Sequence, residues 1–225
     1  MELSIDTASE IASVALSNEG EQTAEITWRC RRNHTVELLP TIERLFTQAN
    51  AEKTDLTAIF ACTGPGMYTG LRVGVGTAQG LARALEVPAL GVGRLELDGY
   101  PHSAFPGTIV AVHRAGRGDL AWAAYRSAPW REVSPPRLSK PEELGGALTG
   151  PSLLVGEVDV EVADVIRAAS AVDVTLALPS LSVRRAATIA ELGFARLSAG
   201  APGDPALLLP VYLRPPAIGP QQPSA

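Results

Sequence analysis

The chain has 225 residues, 46% of them hydrophobic and 19% charged, enough apolar material for one large domain or two small ones without disulfide or metal support. That balance excludes a disordered chain, and no window approaches the ~18 uninterrupted apolar residues of a membrane span. Nineteen Lys and Arg against twenty-four Asp and Glu give a net charge of −5, a field that repels phosphate backbones and argues against autonomous nucleic-acid binding.

Cys30 and Cys62 are the only thiols. One pair so spaced is neither a disulfide framework nor a zinc site, and reads as two partly buried thiols in a reducing cytoplasm. The opening Met-Glu-Leu-Ser-Ile-Asp lacks a basic region, a long apolar run and a small-residue cleavage site, so a cytoplasmic protein is expected.

In chain order, Leu3 and Ile5, then Ile11, Val14 and Leu16, alternate as strands, and Asn18-Glu19-Gly20 signals a hairpin to a third strand near Ile26. The period then becomes helical: Leu38, Leu39, Ile42, Leu45, Phe46 and Ala49 share one stripe, predicting an amphipathic helix over roughly 34–50 that begins or bends near Pro40. Residues 57–62 read as a strand buried on both faces. Gly64-Pro65-Gly66 breaks the chain, Thr69 is the expected N-cap, and 70–86 is a second helix. A strand at about 88–91 and a short helix from Arg94 follow.

The second half shows strands around Ile109–Val112, Leu120–Ala124 and Trp130–Val133, and another at 152–155. Helices are expected at 141–148, 160–169 and 182–199, the last with Val183 among its buried residues. This looks like a shortened topological echo of the first half. The tail 215–225, with four prolines and no periodicity, is expected to be disordered.

The helix after the glycine turn carries the most physical information. Gly70, Gly74, Ala78 and Ala82 recur every four residues, beside a second row of Gly76, Gly80 and Ala84. The pattern predicts burial nearly all round, with only Arg72, Gln79 and Arg83 in a polar strip. Four interior glycines cost roughly 3–4 kcal/mol of helix propensity relative to alanine, which close backbone contact must offset. That contact is either packing within the domain or, together with the 34–50 helix, a surface for another chain.

Other chemistry is thinly supplied. The turn Gly64–Gly70 between strand and helix suits an anion, but it lacks a P-loop lysine and its glycine spacing misses the dinucleotide fingerprint. Asp6-Thr7-Ala8-Ser9 ends the first strand, where actin-like folds put a carboxylate for metal or phosphate; alone it is not a site. His34, His102 and His113 form no pair at i, i+3 or i, i+4, so no zinc-binding face exists, and no Gly-x-Ser-x-Gly elbow occurs. Arg31-Arg32 reads as a solvated pair.

Four stretches together resemble the bacterial TsaB (YeaZ) family. They are Leu3-Ser4-Ile5-Asp6-Thr7-Ala8 with Ala12-Ser13-Val14-Ala15-Leu16; His34-Thr35-Val36-Glu37-Leu38-Leu39-Pro40; Gly64-Pro65-Gly66-Met67-Tyr68-Thr69-Gly70-Leu71-Arg72-Val73-Gly74; and Pro210-Val211-Tyr212-Leu213-Arg214. Met67-Tyr68 stand where the family usually has Ser-Phe, and Arg114 where it commonly has Asp.

The resemblance implies an actin-like (ASKHA, ribonuclease-H-like) α/β fold with two lobes of mixed sheets flanked by helices. It divides the chain into an N-terminal lobe at 1–102 and a smaller C-terminal lobe at 103–214, whose last helix packs back on the first. It implies a non-catalytic subunit, with no catalytic residue and no metal of its own, that binds and activates the homologous catalytic subunit TsaD. The reaction is formation of N6-threonylcarbamoyladenosine at position 37 of ANN-decoding tRNAs.

The implied interface comprises His34, Leu38, Leu39, Ile42, Leu45, Phe46, Gly70, Arg72, Val73, Gly74, Thr77 and Gly80. The implied company is a TsaE-type ATPase, a homodimer in isolation, tRNA held mainly through the complex, and ATP or ADP with magnesium at the junction with the catalytic subunit. The competing reading is a phosphotransferase or hydrolase acting alone, holding a nucleotide or anion with Asp6, Thr7, Gly64 and Gly66.

Overall fold

The structure, a computed structural model, describes residues 1–31 and 33–213. The expected solvated Arg32, the motif residue Arg214 and the tail at 215–225 lie outside the described residues.

Two five-stranded sheets organise the chain. The first contains β1 (Glu2–Asp6), β2 (Ile11–Asn18), β3 (Glu21–Arg29), β4 (Ala58–Gly64) and β5 (Ala89–Gly93) in the order β3-β2-β1-β4-β5. β1, β2 and β3 are antiparallel neighbours, whereas β4 and β5 run parallel to β1. The second contains β6 (Thr108–Arg114), β7 (Leu120–Arg126), β8 (Arg131–Ser139), β9 (Ser152–Gly156) and β10 (Val174–Leu176) in the order β10-β9-β6-β7-β8. Read from β8 to β10, the second order repeats the first strand for strand, with the same pattern of antiparallel and parallel pairs. The echo is therefore a duplicated ribonuclease-H-like unit, and the whole is the expected actin-like α/β fold of two lobes.

The helices repeat as well. α1 (His34–Ala49) and α2 (Tyr68–Leu85) cover one face of the first sheet; the short α4 (Pro141–Ala147) and α5 (Val160–Ala169) cover the matching face of the second. Leu38, Ile42, Leu45 and Phe46 of α1 close over Leu3, Val14, Leu16 and Ile26, a core burial that dominates the stability of this face.

The remaining faces are covered crosswise. α3 (Arg94–Gly99), from the first half, packs on β6, β7 and β9, while α6 (Ala186–Ser198), from the second, packs on β1, β2 and β3. The seat of α6 is tight: a Cβ at Gly193 would lie 2.5 Å from the Phe60 ring.

Several details differ from expectation. α2 begins at Tyr68 with Met67 in the cap position and no side-chain cap, so Thr69 is inside the helix. α6 begins at Ala186; residues 182–185 are irregular, and Val183 is 46% exposed. β10, only three residues long, carries too short an alternation to be read in advance.

The largest difference is α2 itself. It buries Gly70, Leu71, Gly74, Val75, Ala78 and Ala82, but Arg72, Gly76, Gly80, Arg83 and Ala84 are exposed. Glycine and alanine carry too little apolar surface to require burial. Exposing them costs little desolvation, so one face stays free.

Candidate functional site

Two regions hold the residues singled out by sequence: the groove between the lobes at the end of β1, and the outer side of α1 and α2.

In the groove, Asp6 is buried at 1% exposure and both carboxylate oxygens are engaged. Oδ1 accepts the Ala8 N–H at 2.8 Å, and Oδ2 accepts Nε of Arg184 at 2.7 Å. Arg184, from the irregular segment before α6, also donates to Ser9 Oγ at 2.9 Å and pairs with Asp98 Oδ1 at 3.4 Å. Burial alone disfavours the charged guanidinium, but Asp6 and Asp98 outweigh it and hold the Arg184 pKa above its ordinary value. A chain-internal cation thus sits on the carboxylate that actin-like folds place for metal or phosphate.

The network continues into the second lobe. Arg94, 1% exposed, pairs with Asp98 at 3.6 Å and donates to Glu157, which also bonds His113 Nδ1 at 2.7 Å. Burial pushes the Asp98 carboxyl up, an effect only partly offset by Arg184 and Arg94. Burial also acts to raise Glu157, but the His113 hydrogen bond and the Arg94 charge prevail and hold it well below the usual carboxylate range. Cys62 beside this network is a buried thiol whose pKa is raised chiefly by desolvation, so it remains protonated and unreactive. Arg114 stands apart, exposed and paired with Asp159.

The glycine turn fits against β1 instead of opening a cradle. A Cβ at Gly66 would lie 2.3 Å from the Ala8 carbonyl, and the Met67 N–H already donates to that oxygen at 2.9 Å. At Gly64, with φ +101°, a Cβ would lie 2.8 Å from Leu71 Cδ1. Thr7 donates its hydroxyl to the Gly70 carbonyl at 2.8 Å. Asp6, Thr7, Gly64 and Gly66 are therefore brought together, and their contacts are with this chain's own groups. Among the described residues no group of three or more His, Cys, Asp or Glu side chains is gathered in a metal-binding arrangement.

The side chains named for partner contact divide sharply. His34, Leu38, Ile42, Leu45, Phe46, Gly70 and Gly74 are buried within the monomer, which corrects their reading as surface. His34 Nε2 donates to the Ser9 carbonyl at 2.9 Å and locks the start of α1 to the β1–β2 turn. A Cβ at Gly70 would lie 2.2 Å from the Thr7 carbonyl, and one at Gly74 2.2 Å from Thr7 Oγ1. These two glycines exist for the approach of α2 to β1.

Leu39 and Arg72 are exposed, Gly80 is exposed, and Val73 and Thr77 are half-buried. At Gly76 and Gly80 a Cβ would meet no atom of the described residues within 4 Å. Beside them Arg72 lies 4.1 Å over the Tyr68 ring and donates Nε to Tyr212 Oη at 3.3 Å, while Tyr68 and Tyr212 rings stand 5.2 Å apart. Val211 is held by its N–H to the Thr63 carbonyl at 2.8 Å, so the Pro210–Leu213 stretch flanks the outer side of α2.

Comparison with known proteins agrees with this geometry. The family model described as "TsaD: tRNA N6-adenosine threonylcarbamoyltransferase" matches residues 28–159, more than half of the chain. A similar relative is the Escherichia coli tRNA threonylcarbamoyladenosine biosynthesis protein TsaB, 36% identical over 62% of this chain and 62% of its own length. The chain belongs to the TsaB (YeaZ) family.

The Bacillus subtilis TsaB is 33% identical over 55% of this chain and 54% of its own length. The chain thus spans less than two thirds of the length of either TsaB relative. Among solved structures, YeaZ from Pseudomonas aeruginosa superposes with a TM-score of 0.80 at 25% identity, covering 94% of this chain and 99% of its own. Sequence reasoning toward a TsaB fold missed Arg184, Asp98 and Arg94. Asp6 and Arg184 are separated by 178 positions, and no local periodicity signals such a pair.

Proposed function

We propose that this chain is a non-catalytic subunit for forming N6-threonylcarbamoyladenosine at position 37 of ANN-decoding tRNAs, and that it binds and activates a TsaD-type catalytic subunit. The observation that carries this reading is the outer side of α2, where Gly76 and Gly80 leave the helix backbone open to close approach beside half-buried Val73, Thr77 and Leu81. A stable interface needs about 1,200–2,000 Å² in total, so the exposed side of α1, with Val36 at 74% and Leu39 at 53% exposure, belongs to the same surface. The working contact set is then Leu39, Arg72, Val73, Thr77 and Gly80.

The tie between Asp6 and Arg184 supports a role without nucleotide chemistry in this chain's own groove. On this reading the isolated chain dimerises through the same helices, a TsaE-type ATPase joins the larger cytoplasmic assembly, and tRNA is held mainly through that assembly. No cofactor belongs to this chain alone; ATP or ADP with magnesium binds where it meets the catalytic subunit. The naming of the TsaB relatives as tRNA threonylcarbamoyladenosine biosynthesis proteins and the match to the TsaD family both support the pathway and a homologous partner. Among the described residues no helix is long and apolar enough to cross a membrane.

The test mixes the purified chain with the catalytic homologue of its own genome and measures threonylcarbamoyl transfer to tRNA with each component omitted in turn. Transfer should require both, and Gly80→Leu should abolish co-purification. Activity of the catalytic homologue alone, or transfer by this chain alone, would overturn the proposal. Calorimetric ATP binding by the isolated chain that is lost in Asp6→Asn would establish the solitary phosphotransferase instead.

A further inference from the structure

The internal duplication supplies its own comparison. α1 has 16 residues and reaches over Ile26 and Trp28 of the first sheet, whereas its counterpart α4 has seven and stops at Ala147. The shorter helix stops short of the β7–β8 side of the second sheet, where Trp122 and Ala124 are nonetheless buried and long side chains of the sheet itself take the helix's place. There a concavity of about 460 Å³ opens between Trp122, Ala124, Ser134 and Ser152.

Two arginines line it. Arg126 donates Nε to Thr108 Oγ1 at 3.1 Å, and among the described residues its terminal amino groups have no hydrogen-bond partner; Arg137 lies 4.0 Å over the Trp122 ring. Trp122 is itself fixed by its indole N–H to Ser139 Oγ at 2.9 Å, so the stacked guanidinium is held in plane before any ligand arrives. Arg131 stands opposite Arg126 in the strand register and adds a third cation on this side.

No carboxylate answers them. The lining contains no Asp or Glu, and among the described residues neither Arg126 nor Arg137 forms an ion pair. Glu132 registers with Tyr125, whose ring packs on the opposite face with α3, and Glu142 and Glu143 lie in the first turn of α4, the end remote from the concavity. Other concavities differ: the one at α1 includes Glu37, and Arg114 between the lobes is paired with Asp159.

We infer that this concavity is a phosphate-ester site, in which Arg126 and Arg137 grip the phosphate oxygens and the hydroxyls of Ser134 and Thr149 take the remaining acceptors. Guanidinium forks match phosphate oxygens in pairs, and the volume exceeds that of a bare phosphate, leaving room for an attached sugar. The ester is either a mononucleotide or one link of an RNA strand. The net charge of −5 does not forbid this, because at ~0.1 M salt charges beyond about 10 Å are screened and the local arginines prevail.

The experiment titrates the full chain at about 0.1 M salt with 5′-AMP in one arm and a tRNA transcript in the other, using wild type and the Arg126→Gln/Arg137→Gln double variant. Both arginines are exposed, so the double variant should keep its melting temperature. Binding should weaken at least tenfold in the variant. In the RNA arm the slope of log affinity against log salt should fall by about one, the value for the single phosphate that the two arginines share.

Ser134→Glu should produce the same loss while leaving both arginines in place. Binding in the AMP arm alone identifies a free nucleotide as the source; binding in the RNA arm alone identifies the strand. Equal affinity of wild type and double variant in both arms, no binding in either, or a polyglutamate peptide competing as well as RNA would overturn the assignment. The site lies on the other lobe from α2, so Gly80→Leu should not affect it, and this inference fails or stands apart from the proposed partner surface.

Discussion

α2 carries two rows of glycine that a sequence does not distinguish, and the structure gives them opposite duties. Gly70 and Gly74 press against Thr7, where even a methyl group has no room; Gly76 and Gly80 face outward, with no atom of the described residues within 4 Å of an added Cβ. The inner pair is explained by this chain's own packing. The outer pair lowers helix propensity by about 1 kcal/mol each with no compensating contact among the described residues, and that uncompensated cost points to a contact made elsewhere.

The inner row should break first. Gly70→Leu drives a side chain into the Thr7 carbonyl, which belongs to a buried strand end and cannot swing away, so loss of the folded state is expected, read by circular dichroism and denaturant unfolding. Next in size is the tether behind that seat. Arg184→Ala leaves the buried Asp6 carboxylate without its cation, and a loss of about 3–5 kcal/mol is expected in urea unfolding. A loss below about 1 kcal/mol would show that Asp6 is not held as described.

The outer row should behave differently. Gly80→Leu should weaken association with the catalytic homologue by about 2–3 kcal/mol, some 30- to 150-fold in Kd, while the melting temperature of the isolated chain is unchanged or slightly higher. Calorimetric titration checks the first and thermal unfolding the second. Equal loss in both would merge the two rows and remove the distinction.

A pH titration sharpens the contrast between the exposed helix and the charged groove. The Glu157 carboxyl is held below its ordinary value of 4.5 in the fold, so the unfolded chain takes up the proton first as pH falls. Its contribution to stability is fully present above about pH 4.5 and is lost progressively below it. Thermal unfolding between pH 3 and 6 should therefore show a slope that Glu157→Gln reduces. The smallest effect is Gly76→Ala, expected to stabilise the monomer by about 0.5–1 kcal/mol, since the new methyl group enters open space.

Much of the fold was legible where periodicity is strong. The stripe at Leu38, Ile42, Leu45 and Phe46 and the apolar run at 57–62 each took the predicted form, and strand, strand, strand, helix, strand, helix was readable as a unit and as a repeat. Which side of α1 faces solvent was less legible. Helical spacing marks which residues share a broad stripe, but it does not say which edge of that stripe the sheet covers: Leu38 and Phe46 are buried, while Leu39 of the same stripe is exposed. The groove was illegible for a different reason: Asp6, Asp98 and Arg184 meet only through the crossed placement of α3 and α6, a tertiary fact with no local signature.

That crossing binds the two halves of the chain more firmly than any loop between them. Because α3 covers the second sheet and α6 the first, severing the repeat at its midpoint would strip one face from each sheet and expose Phe60 and Ile189 on one side and Ile109 and Tyr125 on the other. Each half therefore completes its twin, and neither sheet is closed on both faces by its own half of the chain.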